Sequence, residues 1–236
     1  MLNYKLGIIG GMGPEATADF FNRIIEKTDA SSDQEHIDMI ILNHCSIPDR
    51  TKIIESKNYE LFISQIVQDA KLLEEKGVKA IAIPCNTAHF FYNEIQSRIN
   101  IPIINMVEES VKYVIQNYNG IKKVGIMATD GTIKSKIYND ECKKYGMEVV
   151  LPSEKNQKVL MGIIYNEIKK EGKRNLNAFM EVVSELKEKG CNAIIIACTE
   201  LSYFKKNCDI PKYCVDAMDT LVTKSIEISG KKIRKD

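Results

Sequence analysis

The chain has 236 residues, of which 44% are hydrophobic and 28% are charged, as in an ordinary globular protein. Its 33 Lys and Arg residues almost cancel its 32 Asp and Glu residues, so no strong basic field exists to hold nucleic acid or an anionic membrane. No apolar run approaches the ~20 residues needed to span a bilayer, and the apolar start is too short for a signal peptide. We therefore expect a cytoplasmic protein with no nucleic-acid or membrane partner.

Short apolar runs alternate along the chain with longer segments of helical periodicity. The runs are continuous and rich in Ile and Val, which is typical of parallel strands that are buried on both faces. The predicted strands are Leu6–Ile9, Met39–Leu42, Ala80–Ile83, Ile101–Ile104, Val124–Met127, Glu148–Leu151, Ala193–Ala197 and Tyr213–Val215. Amphipathic helices are predicted between them, for example at Tyr59–Lys76 and Leu176–Lys189, and this alternation predicts an α/β fold.

An internal repeat relates the two halves of the chain. The segment Glu75–Thr87 (EKGVKAIAIPCNT) matches Glu188–Glu200 (EKGCNAIIIACTE), and Lys5–Ile9 (KLGII) resembles Lys123–Met127 (KVGIM). An Ile-Pro pair also follows each of the two cysteine-bearing segments. Three ordered matches at similar offsets indicate that the two halves are homologous.

The repeat predicts the domain organisation. We expect a first half-domain at residues 1–110 and a second at 111–215, with a final helix within 216–236 that packs back on the first. Each half-domain is predicted to be a mostly parallel sheet flanked by helices, and pseudo-two-fold symmetry is expected to relate the two.

Seven cysteines are present, an odd number that contains no C-x-x-C pair. His36, His44 and His89 show no metal-binding spacing, so neither a disulfide framework nor a metal site is expected. Most of these cysteines are interpreted as packing or surface residues: Cys45, Cys142, Cys191, Cys208 and Cys214.

Cys85 and Cys198 differ from the others because they occupy repeat-equivalent positions at the ends of two predicted strands. Ligands of parallel sheets bind beyond the carboxyl ends of the strands. If the half-domains face each other across a two-fold axis, the two thiols meet across one cleft.

Two facing thiols suit the inversion of a carbon stereocentre, because one removes a proton and the other returns a proton on the opposite face. A thiol has a pKa of about 8.5, and a helix N-terminus is expected to lower it and favour the thiolate. The neighbouring polar residues are expected to cap the following helices and to hold the substrate: Asn86, Thr87, Thr199 and Glu200.

A glycine turn, Gly11–Ala16, follows the first predicted strand and fits the G-x-G-x-x-G/A pattern of dinucleotide-binding folds. Such a fold also needs an acidic residue after the next strand, but Met39–Leu42 is followed by Asn43. We therefore expect this turn to present backbone N–H groups to a substrate carboxylate instead.

The motifs GGMGPEAT, PCNTAH, ATDGT and ACTELS together resemble the aspartate/glutamate racemase family, and specifically its aspartate racemase branch. Met12 and Glu200 stand where the glutamate racemases of this family have an acidic residue and a histidine. The resemblance implies two α/β half-domains with the active site between them, no pyridoxal phosphate or metal cofactor, and a homodimer.

The resemblance also assigns roles to residues. It implies that Cys85 and Cys198 are the two acid–base groups and that Asn86, Thr87 and Thr199 hydrogen-bond the substrate. Thr129, in the ATDGT turn, is implied to lie nearby, and Met12 to line the substrate site.

Two cations are implied to bind substrate carboxylates. Arg50 matches an arginine that grips a carboxylate, as a planar guanidinium does well; the alternative is an exposed loop charge. The branch also has a lysine before an I-x-Y segment, but Val159 stands at that position here and Lys158 lies one residue earlier. Lys158 is therefore the candidate ligand for the second carboxylate.

The combined prediction is a cofactor-independent aspartate racemase that transfers protons at Cα of an amino-dicarboxylic acid through two thiols. Racemisation of glutamate or of several amino acids on the same scaffold stays open as an alternative. So does a non-catalytic protein that binds a dicarboxylate, and a nicotinamide oxidoreductase is a more distant third.

Overall fold

A computed structural model describes residues 4–171 and 173–234. The chain divides into two compact units: unit 1 comprises Met1–Met106 and Met218–Asp236, and unit 2 comprises Val107–Ala217. The half-domain limits of 1–110 and 111–215 stay a prediction, and residues 235–236 of the C-terminal segment lie outside the described residues. No helix in the described ranges is long and apolar enough to cross a membrane.

Unit 1 contains a parallel three-stranded sheet in the order β2-β1-β3. Its strands are β1 (Leu6–Gly10), β2 (Met39–Asn43) and β3 (Ala80–Ala82). Its α-helices are α1 (Pro14–Lys27), α2 (Arg50–Ser56), α3 (Glu60–Glu75) and α4 (Tyr92–Gln96), and two 3₁₀ segments cover Asp33–Glu35 and Thr87–Phe91. Every residue of β1 and β3 is buried, as expected for strands of a parallel sheet that is covered on both faces.

Unit 2 contains a parallel four-stranded sheet in the order β5-β4-β6-β7. Its strands are β4 (Lys123–Ala128), β5 (Glu148–Val150), β6 (Ala193–Ala197) and β7 (Cys214–Asp216). Its helices are α5 (Met106–Asn117), α6 (Asp130–Ser135), α7 (Ile137–Lys143), α8 (Glu154–Gly162), α9 (Leu176–Glu188) and α10 (Ser202–Asn207), and a π-helical segment covers Ile163–Glu171. The final helix, α11 (Ala217–Ile228), returns the chain to unit 1.

The predicted α/β fold with two parallel sheets flanked by helices is confirmed. The two sheets have equivalent registers, because β1 pairs with β3 at Leu6 and Ala80 and β4 pairs with β6 at Val124 and Ala193. These are the positions that the sequence repeat aligns.

Each unit has one glycine at which a helix packs closely on the sheet. A Cβ atom added at Gly7 would lie 2.8 Å from Leu73 of α3, and one added at Gly125 would lie 3.2 Å from Leu186 of α9. Both leucines are fully buried. A residue without a side chain in the first strand of each sheet therefore lets the covering helix pack close.

The prediction of a strand at Ile101–Ile104 is wrong. Only an isolated parallel bridge between Ile81 and Ile103 forms there. Ile81 donates its N–H to Pro102 at 2.9 Å and accepts from Ile104 at 2.8 Å. Pro102 has no N–H to continue a ladder, which restricts this segment to a single bridge.

A buried ion cluster fixes α11 on α1 within unit 1. Arg23 is 2% exposed and lies 2.8 Å from both Asp19 and Asp219, and Lys27 lies 2.7 Å from the same Asp219 oxygen. Burial opposes ionisation of Asp219, but the charges of Lys27 and Arg23 outweigh it and lower the pKa of that carboxyl. The guanidinium is therefore buried with its charge compensated from the far end of the chain.

Candidate active site

The Cys85 turn follows β3 in unit 1. Cys85 is 6% exposed and donates its backbone N–H to Ile83 at 2.7 Å. Asn86 and Thr87 are buried beside it, and the 3₁₀ segment begins at Thr87. The Asn86 side chain does not cap that segment, so its predicted capping role is wrong. The reason is conformational, since Asn86 has helical dihedrals and not the extended ones of a capping residue.

His89 contacts the backbone of the Cys85 turn through its imidazole ring. Its Nδ1 lies 2.9 Å from the carbonyl oxygen of Cys85, and its Nε2 lies 3.3 Å from that of Ile104. Burial lowers the pKa of His89, although hydrogen bonds to the backbone oppose this shift. A neutral ring has one N–H, and the shorter distance favours its donation to Cys85. The sequence pattern excluded His89 as a metal ligand but did not reveal this contact.

The glycine turn after β1 is shaped by close packing. A Cβ atom added at Gly11, where φ is +89°, would lie 2.4 Å from the backbone of His44. The Gly11 N–H donates to Thr17 Oγ1 at 2.9 Å, so a side chain of α1 already uses this group. The prediction that the turn presents N–H groups to a carboxylate is therefore wrong for Gly11.

Arg50 is the first residue of α2 and is buried, which rules out the alternative of an exposed loop charge. Its Nη2 donates to the carbonyl oxygen of Met12 at 2.8 Å, and its Nη1 donates to that of Pro48 at 3.0 Å. Met12 is itself 3% exposed. The structure thus brings two predicted site residues together and fixes the glycine turn against the start of α2.

The Cys198 turn follows β6 in unit 2. Cys198 is 5% exposed, and its Sγ donates to Glu200 Oε2 at 3.0 Å. Thr199 is also buried, and its Oγ1 lies 3.4 Å from the same carboxylate oxygen. The next helix, α10, begins only at Ser202, so Thr199 and Glu200 do not cap it as predicted.

The expectation of a lowered thiol pKa is wrong for Cys198. Burial raises the pKa of this thiol well above its usual value, and the charge and hydrogen bond of Glu200 raise it further. Lys169 and the backbone N–H of Glu200 act in the opposite direction with a smaller effect. A low-dielectric position beside a carboxylate therefore dominates over the nearby helix terminus.

Lys169 is the site residue that the sequence reasoning missed. Its Nζ lies 3.1 Å from Glu200 Oε1, and its side chain is 28% exposed. Burial opposes the charge of Lys169, but Glu200 and then Cys198 outweigh it and raise the pKa of the ammonium group. The lysine lies in the π-helical segment, a rare conformation that often marks functional positions. No pattern in the sequence distinguishes it from the neighbouring Lys170.

The other predicted site residues of unit 2 have different surroundings. Thr129 follows β4 and caps α6 by accepting from the Thr132 N–H at 3.3 Å. It lies near the Cys198 turn, because Ala128 and Ala197, which precede Thr129 and Cys198, are paired across β4 and β6. Lys158 lies on α8, is 76% exposed and pairs with Glu154 at 2.8 Å, so its role as a substrate ligand stays a prediction.

Comparisons with known proteins identify the family of the chain. The family model described as Asp/Glu/Hydantoin racemase matches residues 9–224. The broad specificity amino-acid racemase RacX of Bacillus subtilis is 32% identical over 202 residues, covering 84% of this chain and 86% of that protein. A glutamate racemase of Aquifex pyrophilus is 27% identical over 161 residues, covering 68% of this chain and 60% of that protein.

Among solved structures, Picrophilus torridus aspartate racemase superimposes with a TM-score of 0.80 at 27% identity. The match covers 98% of this chain and 96% of that one. The chain therefore belongs to the Asp/Glu/hydantoin racemase family and is an isomerase of the amino-acid racemase type.

Proposed function

We propose that this chain is an aspartate racemase that works without pyridoxal phosphate or a metal and uses Cys85 and Cys198 as its two acid–base groups. The observation that carries the proposal is the repeated placement of one buried thiol after equivalent strands, β3 and β6. Each thiol is followed by a buried polar turn residue.

The mechanism is a direct proton transfer at Cα. One thiolate removes the α-proton, and the thiol on the opposite face of Cα donates its proton to the resulting carbanion. The side chains of Asn86, Thr87 and Thr199 stabilise the negative charge that develops on the α-carboxylate. The two thiols exchange roles when the substrate has the other handedness.

The substrate class follows from charge. Arg50 is a buried cation, and a dicarboxylic amino acid offers it a side-chain carboxylate in addition to the α-carboxylate that the turn residues would bind. The likeness to the aspartate racemase of Picrophilus torridus favours aspartate. The likeness to RacX supports a broad-specificity racemase as the second candidate. Cytoplasmic location and a homodimer stay predictions.

The test follows Cα deuteration and enantiomer composition together in D2O, without added pyridoxal phosphate or metal. Separate incubations contain L-aspartate, L-glutamate and L-alanine. Deuterium uptake with formation of D-aspartate alone is the expected result. Equal rates with L-alanine would favour the broad-specificity candidate, and the absence of exchange with all three substrates would contradict the proposal.

A further inference from the structure

Glu200 contacts two groups at once, through different oxygens. Oε2 accepts from Cys198 Sγ at 3.0 Å, and Oε1 lies 3.1 Å from Lys169 Nζ. The Glu200 side chain is 9% exposed. A thiol, a carboxylate and an ammonium group therefore form a continuous chain of polar contacts in unit 2.

The role of Glu200 as a substrate ligand stays a prediction, and its contacts point to a further role. Both of its oxygens face residues of its own unit. The shortest contact joins it to Cys198 Sγ, the atom that exchanges a proton in the proposed function. This geometry is that of an acid or base paired with a nucleophilic group.

We infer that Glu200 is the acid–base partner of Cys198 and that Lys169 is the counter-ion of Glu200. The inference rests on the proposed two-thiol function. In the forward step the S–H bond breaks, its electron pair stays on sulfur, and an O–H bond forms at Oε2. In the reverse step Oε2 returns that proton to the thiolate.

The Cys198–Glu200 pair would allow the protonation state of the thiols to be restored after each turnover. After each turnover a proton has moved onto one thiol and left the other, so the starting protonation state has to be restored. Cys198 is 5% exposed, so little of it is open to bulk water. Glu200 provides a neighbouring oxygen to which the proton moves, while Lys169 balances the charge of the carboxylate when the proton is on sulfur.

The test is Glu200→Gln, which keeps the shape of the side chain but removes its ability to take a proton. Alkylation of Cys198 by iodoacetamide is followed across a pH series by mass spectrometry of the peptide, with Cys85 in the same sample as the reference. Because the carboxylate opposes the thiolate, we expect Cys198 to react faster at neutral pH in this variant. We also expect kcat to fall by about 10²-fold, with a smaller change in KM.

Lys169→Met is a second variant, and it is expected to change the alkylation rate of Cys198 in the opposite direction. Removing the ammonium group leaves the carboxylate charge unbalanced beside the sulfur, so alkylation of Cys198 is expected to become slower than in the wild type. Lys170→Met is the matched control, because Lys170 is the exposed neighbour in the same π-helical segment. It is expected to leave the alkylation profile unchanged.

The outcomes separate the two proposals. Alkylation of Cys198 that begins at lower pH, with the same limiting rate at high pH, together with slower turnover in Glu200→Gln would support the inference, since a structural defect that exposes the thiol raises the rate at every pH. An unchanged alkylation profile or an effect on KM alone would overturn it while leaving a racemase. Absence of racemisation in the wild-type chain would instead overturn the proposed function.

Discussion

In unit 1 the Cys85 turn contains an amide, a hydroxyl and an imidazole that contacts its backbone, whereas in unit 2 the Cys198 thiol bonds to a carboxylate that is paired with an ammonium group. The described part of unit 1 places no carboxylate within hydrogen-bond contact of the Cys85 thiol. The backbone repeat that positions the two thiols thus does not repeat their electrostatic environment. The comparison teaches that two thiols can occupy equivalent positions after their strands and still have different charged neighbours.

The largest effect is expected from removing either thiol. Cys85→Ser and Cys198→Ser should each reduce racemisation by roughly 10³-fold, because a hydroxyl is a much weaker acid–base group than a thiol. The assay is conversion of L-aspartate to D-aspartate, with Cys142→Ser as a control for a buried cysteine outside both turns. Full activity in either variant would show that the two turns do not share one reaction.

A smaller effect is expected from the substitution of Arg50, the buried arginine at the start of α2. Arg50→Lys keeps the charge but cannot span the carbonyl oxygens of Met12 and Pro48, so kcat/KM should fall by about 10-fold, equivalent to about 1.4 kcal/mol. Lys52→Ala, an exposed change on the same helix, is the control. Equal kinetics for Arg50→Lys and the wild type would show that a point charge is sufficient here, as it is in the Lys169 pair.

A buried hydrogen bond supports the segment after Cys198. Ser202 donates to Asp216 of β7 at 2.7 Å, and both residues are buried. Ser202→Ala should lower the free energy of unfolding by about 1–3 kcal/mol, because a buried carboxylate loses a donor. Urea denaturation measures this, and Ser225→Ala, which removes a hydroxyl bonded within α11, should cost less. A smaller loss for Ser202→Ala than for Ser225→Ala would contradict this assignment.

The smallest expected effect is a difference between the Cys85 and Cys198 turns in how much acid lowers their local stability. The pKa of His89 is lowered in the folded chain, so its neutral form contributes stability above the usual value of 6.5. That contribution is lost as the pH falls below 6.5 and through the folded-state pKa. The protection factors of the backbone amides, which are exchange rates corrected for the intrinsic pH dependence, should therefore fall on acidification more in the Cys85 turn than in the Cys198 turn. His89→Gln should remove the difference; if the two turns respond equally in the wild type, this role of His89 is wrong.

Much of this organisation could be predicted from the sequence. Continuous Ile- and Val-rich runs identified the strands, and the repeat placed Cys85 and Cys198 at equivalent strand ends. Local patterns failed where a contact depends on distant segments. Lys169 meets Glu200 across a gap of about thirty residues and only because the chain adopts a π-helical conformation there. The capping predictions failed because polar residues after a strand indicate a turn without fixing its dihedrals.

The discontinuity of unit 1 has a consequence for synthesis on the ribosome. Unit 2 is contiguous, so all of its strands emerge before α11 does. Until Asp219 has been made, the nascent N-terminal segment carries Arg23 with Asp19 but without the second carboxylate, Asp219, that pairs with it in the folded chain. The second half of the chain is therefore free to fold first, and the first half reaches its final packing only after the last helix leaves the exit tunnel.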